Sequence, residues 1–182
     1  MRNIFILLCI LISQASLGQT SSEKKVLDYI NQIRTNPQLF LKDVALPYIK
    51  NNDFSRNRYA KSLIRELEKL DSMQPLEFEN SLQEMSVDFA KEAGKKGWVG
   101  HRRVSQRFDK YADHVEITAE NLQYGFDDPL DIVMDLLIDF DIPNLGHRKN
   151  ILDPNFSIIG VSIEKHKSYE FITVMTFGGF EE

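Results

Sequence analysis

Three short polar islands stand far apart in the chain: Gly100-His101, Ala119-Glu120-Asn121, and Gly146-His147-Arg148-Lys149-Asn150-Ile151-Leu152. Each sits at the edge of a segment whose other residues read as packed core. Two imidazoles and a carboxylate at such edges suggest one shared cleft. Neutral imidazole is a good ligand for Zn²⁺ and similar ions. Two protein nitrogens would leave positions on such an ion open to water. Glu120 could orient a ring, or act as a base on a bound water. The chemistry to expect is therefore metal-capable or acid–base, with His101 and His147 as donors to a divalent metal such as Zn. A structural role competes with it. His101 can cap a turn, His147 can open a short helix, and Glu120-Asn121 can tie a strand end to nearby backbone.

Other chemistries lack their residues. There is no Ser-His-Asp arrangement with supporting context, no Gly-rich phosphate loop and no HExxH helix. The one cysteine, Cys9, lies inside an apolar run near the start. That run, Ile4 to Ile12, follows the positive Met1-Arg2-Asn3 and precedes the small residues of Ser16-Leu17-Gly18, which is the layout of a signal peptide over residues 1–18. It is short of the ~20 residues that span a bilayer. Its removal would take Cys9 with it, so the fold needs no disulfide although the expected location is secreted or periplasmic. No integral membrane span is expected after that removal. With 22 basic against 27 acidic residues and a net charge of −5, nucleic acid is a poor partner. About 160 residues remain for one domain with a real core.

The elements that must position the three islands can be read from periodicity. Thr20-Ser21-Ser22-Glu23 is a capping box, and Val26, Leu27, Ile30 and Ile33 follow at helical spacing. Asn36-Pro37 ends that helix and opens a second, with Pro47 and Asn51-Asn52-Asp53 marking its break. Tyr59, Leu63, Leu67 and Leu70 give a third helix. Leu82, Met85, Phe89 and Ala93 give a fourth, with Gly94 and Gly97 as stops. Val104, Phe108 and Tyr111 suit a short fifth. Val115 to Glu120 alternates as a strand. Asp127-Asp128-Pro129 caps a further helix with Ile132, Val133, Leu136, Leu137 and Phe140 inward, ended by Pro143 and Gly146. Ile159, Val161 and Ile163 alternate on one late strand, and Phe171, Thr173, Met175 and Phe177 on the next. His114 and His166 are expected in solvent, and Trp98 under a cleft wall. The sum is an α+β layered domain.

Taken in order, these tags resemble the CAP or SCP superfamily of cysteine-rich secretory, antigen 5 and pathogenesis-related proteins, in a bacterial, cysteine-free form. The tags are Leu27-Asp28-Tyr29-Ile30-Asn31-Gln32-Ile33-Arg34, Pro75-Leu76, the three polar islands, Ile159-Gly160-Val161 and Thr176-Phe177-Gly178. The resemblance implies a three-layer α-β-α sandwich, with a small antiparallel sheet between helices, over residues 26–180 after a lead-in of 19–25. It also implies a central cleft of two histidines and two acids: His101, Glu120, His147 and an acid from the preceding helix. That last position reads Leu136-Leu137-Ile138-Asp139-Phe140-Asp141, with Asp139 the first candidate and Asp141 the second. The function so implied is a secreted binding module for a small lipid, glycan or protein ligand. A metal-dependent, peptidase-like hydrolase with Glu120 as base is the alternative. A scaffold whose polar cluster has no other role is the second alternative.

Overall fold

The structure, a computed structural model, describes residues 19–181. The signal-peptide reading of residues 1–18, Cys9 included, lies outside them. Helix α1, Ser21–Thr35, starts at the expected capping box: Thr20 Oγ1 accepts from Glu23 N at 3.2 Å, and Glu23 Oε2 accepts from Thr20 N at 2.6 Å. Residues 21–25 are thus already helical, and Glu23 Oε1 also accepts from Ile163 N at 3.1 Å. Helix α2, Pro37–Phe40, widens into a π-helical stretch, Leu41–Ala45, and continues as α3, Leu46–Asn51. Pro47 therefore does not break this segment. It sits in the first turn of α3, directly after the widened turns, where a proline's missing N–H and bulky ring are tolerated. Helix α4 is Arg58–Leu67, with Tyr59, Leu63 and Leu67 buried.

The sheet has four strands in the order β1-β3-β4-β2. Strands β3, Ile158–His166, and β4, Glu170–Gly179, form an antiparallel hairpin, and β2, Ile117–Tyr124, pairs antiparallel with β4. The two-residue β1, Glu77–Phe78, adds a parallel pairing to β3. Strand β2 is an edge, and it reaches four residues beyond the expected end at Glu120 because β4 offers partners as far as Ile172, opposite Tyr124.

Helices cover both faces, giving the three layers. On one side, α5 (Asn80–Lys96) buries Phe89 against Leu122, Ile172 and Val174, and with α6 (Val104–Tyr111) it buries Leu82, Met85 and Phe108 around Ala112 and Val115. On the other, α1, α4 and α7 (Pro129–Ile138) bury Ile30, Ile33, Leu63, Val133 and Leu137 against Ile159, Val161, Met175 and Phe177. The α5 layer lies very close to the sheet. A Cβ on Gly160 would meet the Leu82 carbonyl carbon at 2.2 Å, and one on Gly94 the Lys165 oxygen at 2.1 Å. Gly94 thus serves close packing inside α5, while Gly97, at φ 70°, is the stop. Helix α7 ends earlier than expected, at Ile138, because Asp139 turns into the left-handed region at φ 55°. Phe140 consequently falls outside the helix and is half exposed rather than inward. A short α8, Gly146–Ile151, follows.

Candidate functional site

Alternation along β2 distributes the site. Glu120, Leu122 and Tyr124 point towards the α5–α6 layer, where Glu120 meets His101 and Arg107 and where Gly100 N donates to Tyr124 Oη at 3.0 Å. Asn121 and Gln123 point the other way, towards α8 and α7. Every second residue of one edge strand therefore serves a different face.

His101 follows Gly100, whose φ of 86° lets the chain turn sharply after α5. Its Nδ1 lies 2.9 Å from Glu120 Oε1, and the ring is 46% exposed. Glu120 itself is buried. Arg107 of α6 grips it with two hydrogen bonds, Nη1 to Oε2 at 2.5 Å and Nη2 to Oε1 at 2.9 Å, and the same guanidinium lies 3.8 Å from the Phe89 ring centroid. Burial alone would push the Glu120 carboxyl up. The hydrogen bonds from His101 and Arg107, with the Arg107 charge, outweigh it and hold the group below the usual carboxylate range. His101 and Glu120 open on a hollow of about 520 Å³ between α6 and β2, with Asp109, Asp113 and Glu116 around it.

His147 is built from a shorter stretch of chain. Asp139, buried at the end of α7, places Oδ1 2.7 Å from His147 Nδ1, while its Oδ2 accepts from His147 N at 3.0 Å and Arg148 N at 3.4 Å. The contact comes from Asp139, not Asp141. Asn121 Nδ2 donates to His147 O at 2.9 Å, and Asn150 Nδ2 donates to Asn121 Oδ1 at 2.8 Å, tying α8 to β2. Arg148 is fully buried and donates to Leu137 O, Ile138 O and Tyr59 O, with Nη1 3.0 Å from Glu66 Oε2. The His147 ring is 25% exposed and lines a second hollow, of about 230 Å³, with Gln123, Asp135, Phe140 and Ile142.

In both pairs a buried carboxylate accepts from Nδ1–H, and Nε2 is left outside the pair. For a divalent metal this donor set is a poor fit. Both carboxylates are already taken up, and among the described residues no three His, Cys, Asp or Glu side chains form a group that could hold an ion. The two histidines line different hollows.

Two contributors escape a reading of the sequence. Arg107 carries no local mark, since its partner lies on another element, β2. Gln123 had one: with Asn121 it puts two amides at alternate positions on an inward strand face. His166 is a correction. It is buried, not in solvent: Nε2 donates to Trp98 O at 2.9 Å, and Nδ1 accepts from Ser168 N and Tyr169 N. The close approach of α5 at Gly94 folds the hairpin tip over it. His114 is exposed. Trp98 is half-buried against the α5 cluster, with Lys96 Nζ 4.2 Å and Arg102 Cζ 4.9 Å from its ring centroid.

The family model described as CAP, cysteine-rich secretory protein family, matches residues 27–177. Among solved structures, venom allergen-like protein 4 of Schistosoma mansoni is similar at 12% identity and a TM-score of 0.56, covering 90% of this chain and 92% of that one. An outer surface protein of Borrelia burgdorferi is similar at 20% identity and a TM-score of 0.50, covering 68% and 90%. An extracellular SCP-domain protein of Bacillus anthracis is similar at 15% identity and a TM-score of 0.49, covering 67% of this chain and 39% of that one. No curated protein matches significantly. At these identities the structures speak to the fold alone.

Proposed function

The chain belongs to the CAP, or cysteine-rich secretory protein, family, and from that premise we propose that it acts outside the cytoplasm as a binding module whose ligand contacts are offered by His101 at one hollow and His147 at another. One observation carries this reading. Each ring is held at Nδ1 by a buried carboxylate while its other nitrogen stays free at the wall of a hollow. Preparing a side chain in this way orients a contact before any ligand arrives, which lowers the entropic cost of binding. No helix among the described residues is long and apolar enough to cross a membrane.

The scaffold reading is less well supported. The bonds that join the layers are made by Asn121, Asn150, Arg148 and Arg34, whereas the two rings contribute their Nδ1 contacts near the surface. The hydrolase reading loses its base. Glu120 is spoken for by Arg107 on both oxygens and is held ionised, a weak proton acceptor. Divalent metal is left out of the proposal for want of a third free ligand among the described residues.

The test is the double variant His101→Ala/His147→Ala. A binding role predicts melting close to that of the parent, because two partly exposed rings contribute little to the core. A scaffold role predicts a loss of several kcal/mol, as broken polar networks give. Zn²⁺-dependent cleavage of a peptide library, abolished by Glu120→Gln, would restore the hydrolase instead.

A further inference from the structure

One end of the molecule is charged against the rest. The chain has a net charge of −5, yet the end of α5, the turn after it and the tip of the β3–β4 hairpin are crowded with cations. Trp98, partly buried in that turn, has three of them around its ring. Lys96 Nζ lies 4.2 Å from the centroid, Arg102 Cζ 4.9 Å and Arg103 Cζ 5.7 Å. Beside them Lys91, Lys95, Lys165 and Lys167 line an open hollow of about 700 Å³. The two groups adjoin, since a Cβ on Gly97 would meet the Lys167 Cβ at 3.6 Å. All seven residues are exposed. The carboxylates that pair with them or line the same hollow are Glu92, Glu164 and Glu170. Glu92 is shared between Lys96 at 2.7 Å and Arg103 at 2.8 Å. Among the described residues Lys95, Arg102 and Lys167 stand in no ion pair. Uncompensated cations gathered on an acidic chain make a local field that draws an anionic partner.

Apolar groups at the same end decide which anion. Val99 is 51% exposed and Tyr169 48%. Lys165 Nζ sits 3.6 Å from the Phe171 ring centroid. A soluble polyanion needs the charges but gains nothing from a bare valine. Aromatic and aliphatic side chains ringed by Lys and Arg are the composition that seats in the headgroup layer of a bilayer.

The end is also rigid. His166 is buried beneath it and joins its two parts: Nε2–H donates to Trp98 O at 2.9 Å, and Nδ1 accepts from Ser168 N at 3.1 Å and Tyr169 N at 3.2 Å. Lys167 N donates to Gly94 O at 3.0 Å, and the Tyr169 ring lies 5.4 Å from that of Tyr124. Turn and hairpin tip thus form one platform, with little left to order on docking.

We propose that this end of the protein docks on an anionic lipid bilayer, its cations against headgroup phosphates and Val99 and Tyr169 in the interfacial layer. The surface uses neither His101 nor His147 and goes beyond the binding-module reading.

Trp98 is the one tryptophan of the chain, so its fluorescence in the full chain reads this end alone. Vesicles of phosphatidylcholine and phosphatidylglycerol in equal parts should shift its emission to the blue, and less so as salt rises. Pure phosphatidylcholine vesicles should bind at least about tenfold more weakly. Each cation beside an anionic bilayer contributes about fivefold, so Arg102→Gln/Lys167→Gln should weaken binding by about 25-fold. Val99→Ser should weaken it by about fivefold, because apolar burial is lost. These substitutions are at exposed positions, where folding tolerates change, and every variant carries the same residues 1–18, so their apolar run cancels from the comparison. Equal binding to pure phosphatidylcholine, or unchanged affinity in the double charge variant, overturns the proposal. Tighter binding to soluble heparin than to the vesicles, with Val99→Ser neutral on both, overturns it in favour of a soluble polyanion. His101→Ala/His147→Ala keeps every one of these cations, so this proposal and the module reading fail separately.

Discussion

Arg107 and Glu120 share two parallel hydrogen bonds at 2.5 and 2.9 Å, with Glu120's side chain 1% exposed and Arg107's 11%. A buried carboxylate that loses its guanidinium keeps its desolvation penalty and little else. Arg107→Ala is expected to cost about 3–5 kcal/mol in urea unfolding. The pH dependence has a definite sign. Glu120 is depressed in the folded state, so its stabilisation is present above the ordinary 4.5 and fades as pH falls through the lowered value. The stability gap between parent and Glu120→Gln should be widest near neutrality and shrink on acidification below about 4.5. A gap constant with pH would contradict the assignment.

Arg34 of α1 is buried and, among the described residues, has no carboxylate contact. Its guanidinium donates to four carbonyls, Gln74 O, Ile151 O, Asp153 O and Phe156 O, at 2.8–3.0 Å. Burial lowers its pKa to about 10, with Asp153 acting against the shift, so it remains charged at neutral pH. The planar fork matters more than the charge, since an ammonium cannot reach four divergent oxygens. Arg34→Lys should lose about 3 kcal/mol, measured by chemical denaturation. A loss below half that would mean water replaces the missing donors.

Gly160 has no room for a side chain, because the obstruction is the α5 backbone at Leu82 and Gln83. Backbone cannot move aside as a side-chain tip can. Gly160→Ala should lower stability by about 1–3 kcal/mol or more and speed hydrogen exchange at Val161 N, which donates to Gln83 Oε1 at 2.9 Å across the same contact. Unchanged exchange there would show that the strain is absorbed elsewhere.

Asp135 behaves oppositely to Glu120. Loss of water raises its carboxyl above the usual 3.8, Gln123 and His147 pull it back, and Asp139 and Asp131 add to the rise. A raised acid contributes most while protonated, and the contribution is lost as pH climbs through the folded value. Asp135→Asn keeps an acceptor for Gln123 and should therefore gain melting temperature relative to the parent as pH rises from about 4 to 7. Both proteins should melt alike at acid pH.

How much of this was legible beforehand depended on the range of the interaction. Local patterns carried through: the Thr20–Glu23 box, the inward Val26, Ile30 and Ile33, and the alternation of β3 and β4. Asp139 ranked ahead of Asp141 in the sequence and makes the contact to His147, although both have left-handed backbone, at φ 55° and 59°. The choice lies in how α8 folds back on the end of α7. Pro47 misled because a π-helical stretch, not a break, accommodates it. His166 misled because its burial comes from contacts across 68 residues, with Trp98. The grip of Arg107 on Glu120 is a tertiary fact with no counterpart in spacing.

Strand β2 hands its side chains alternately to two chambers, Glu120 to one and Asn121 and Gln123 to the other. Substitution can drift at any of these positions, one chamber at a time. Insertion or deletion of one residue cannot, because it would exchange the contents of both chambers at once. The count of residues between Gly100-His101 and Gly146-His147 can grow in loops, but the spacing inside β2 is inherited as a fixed ruler.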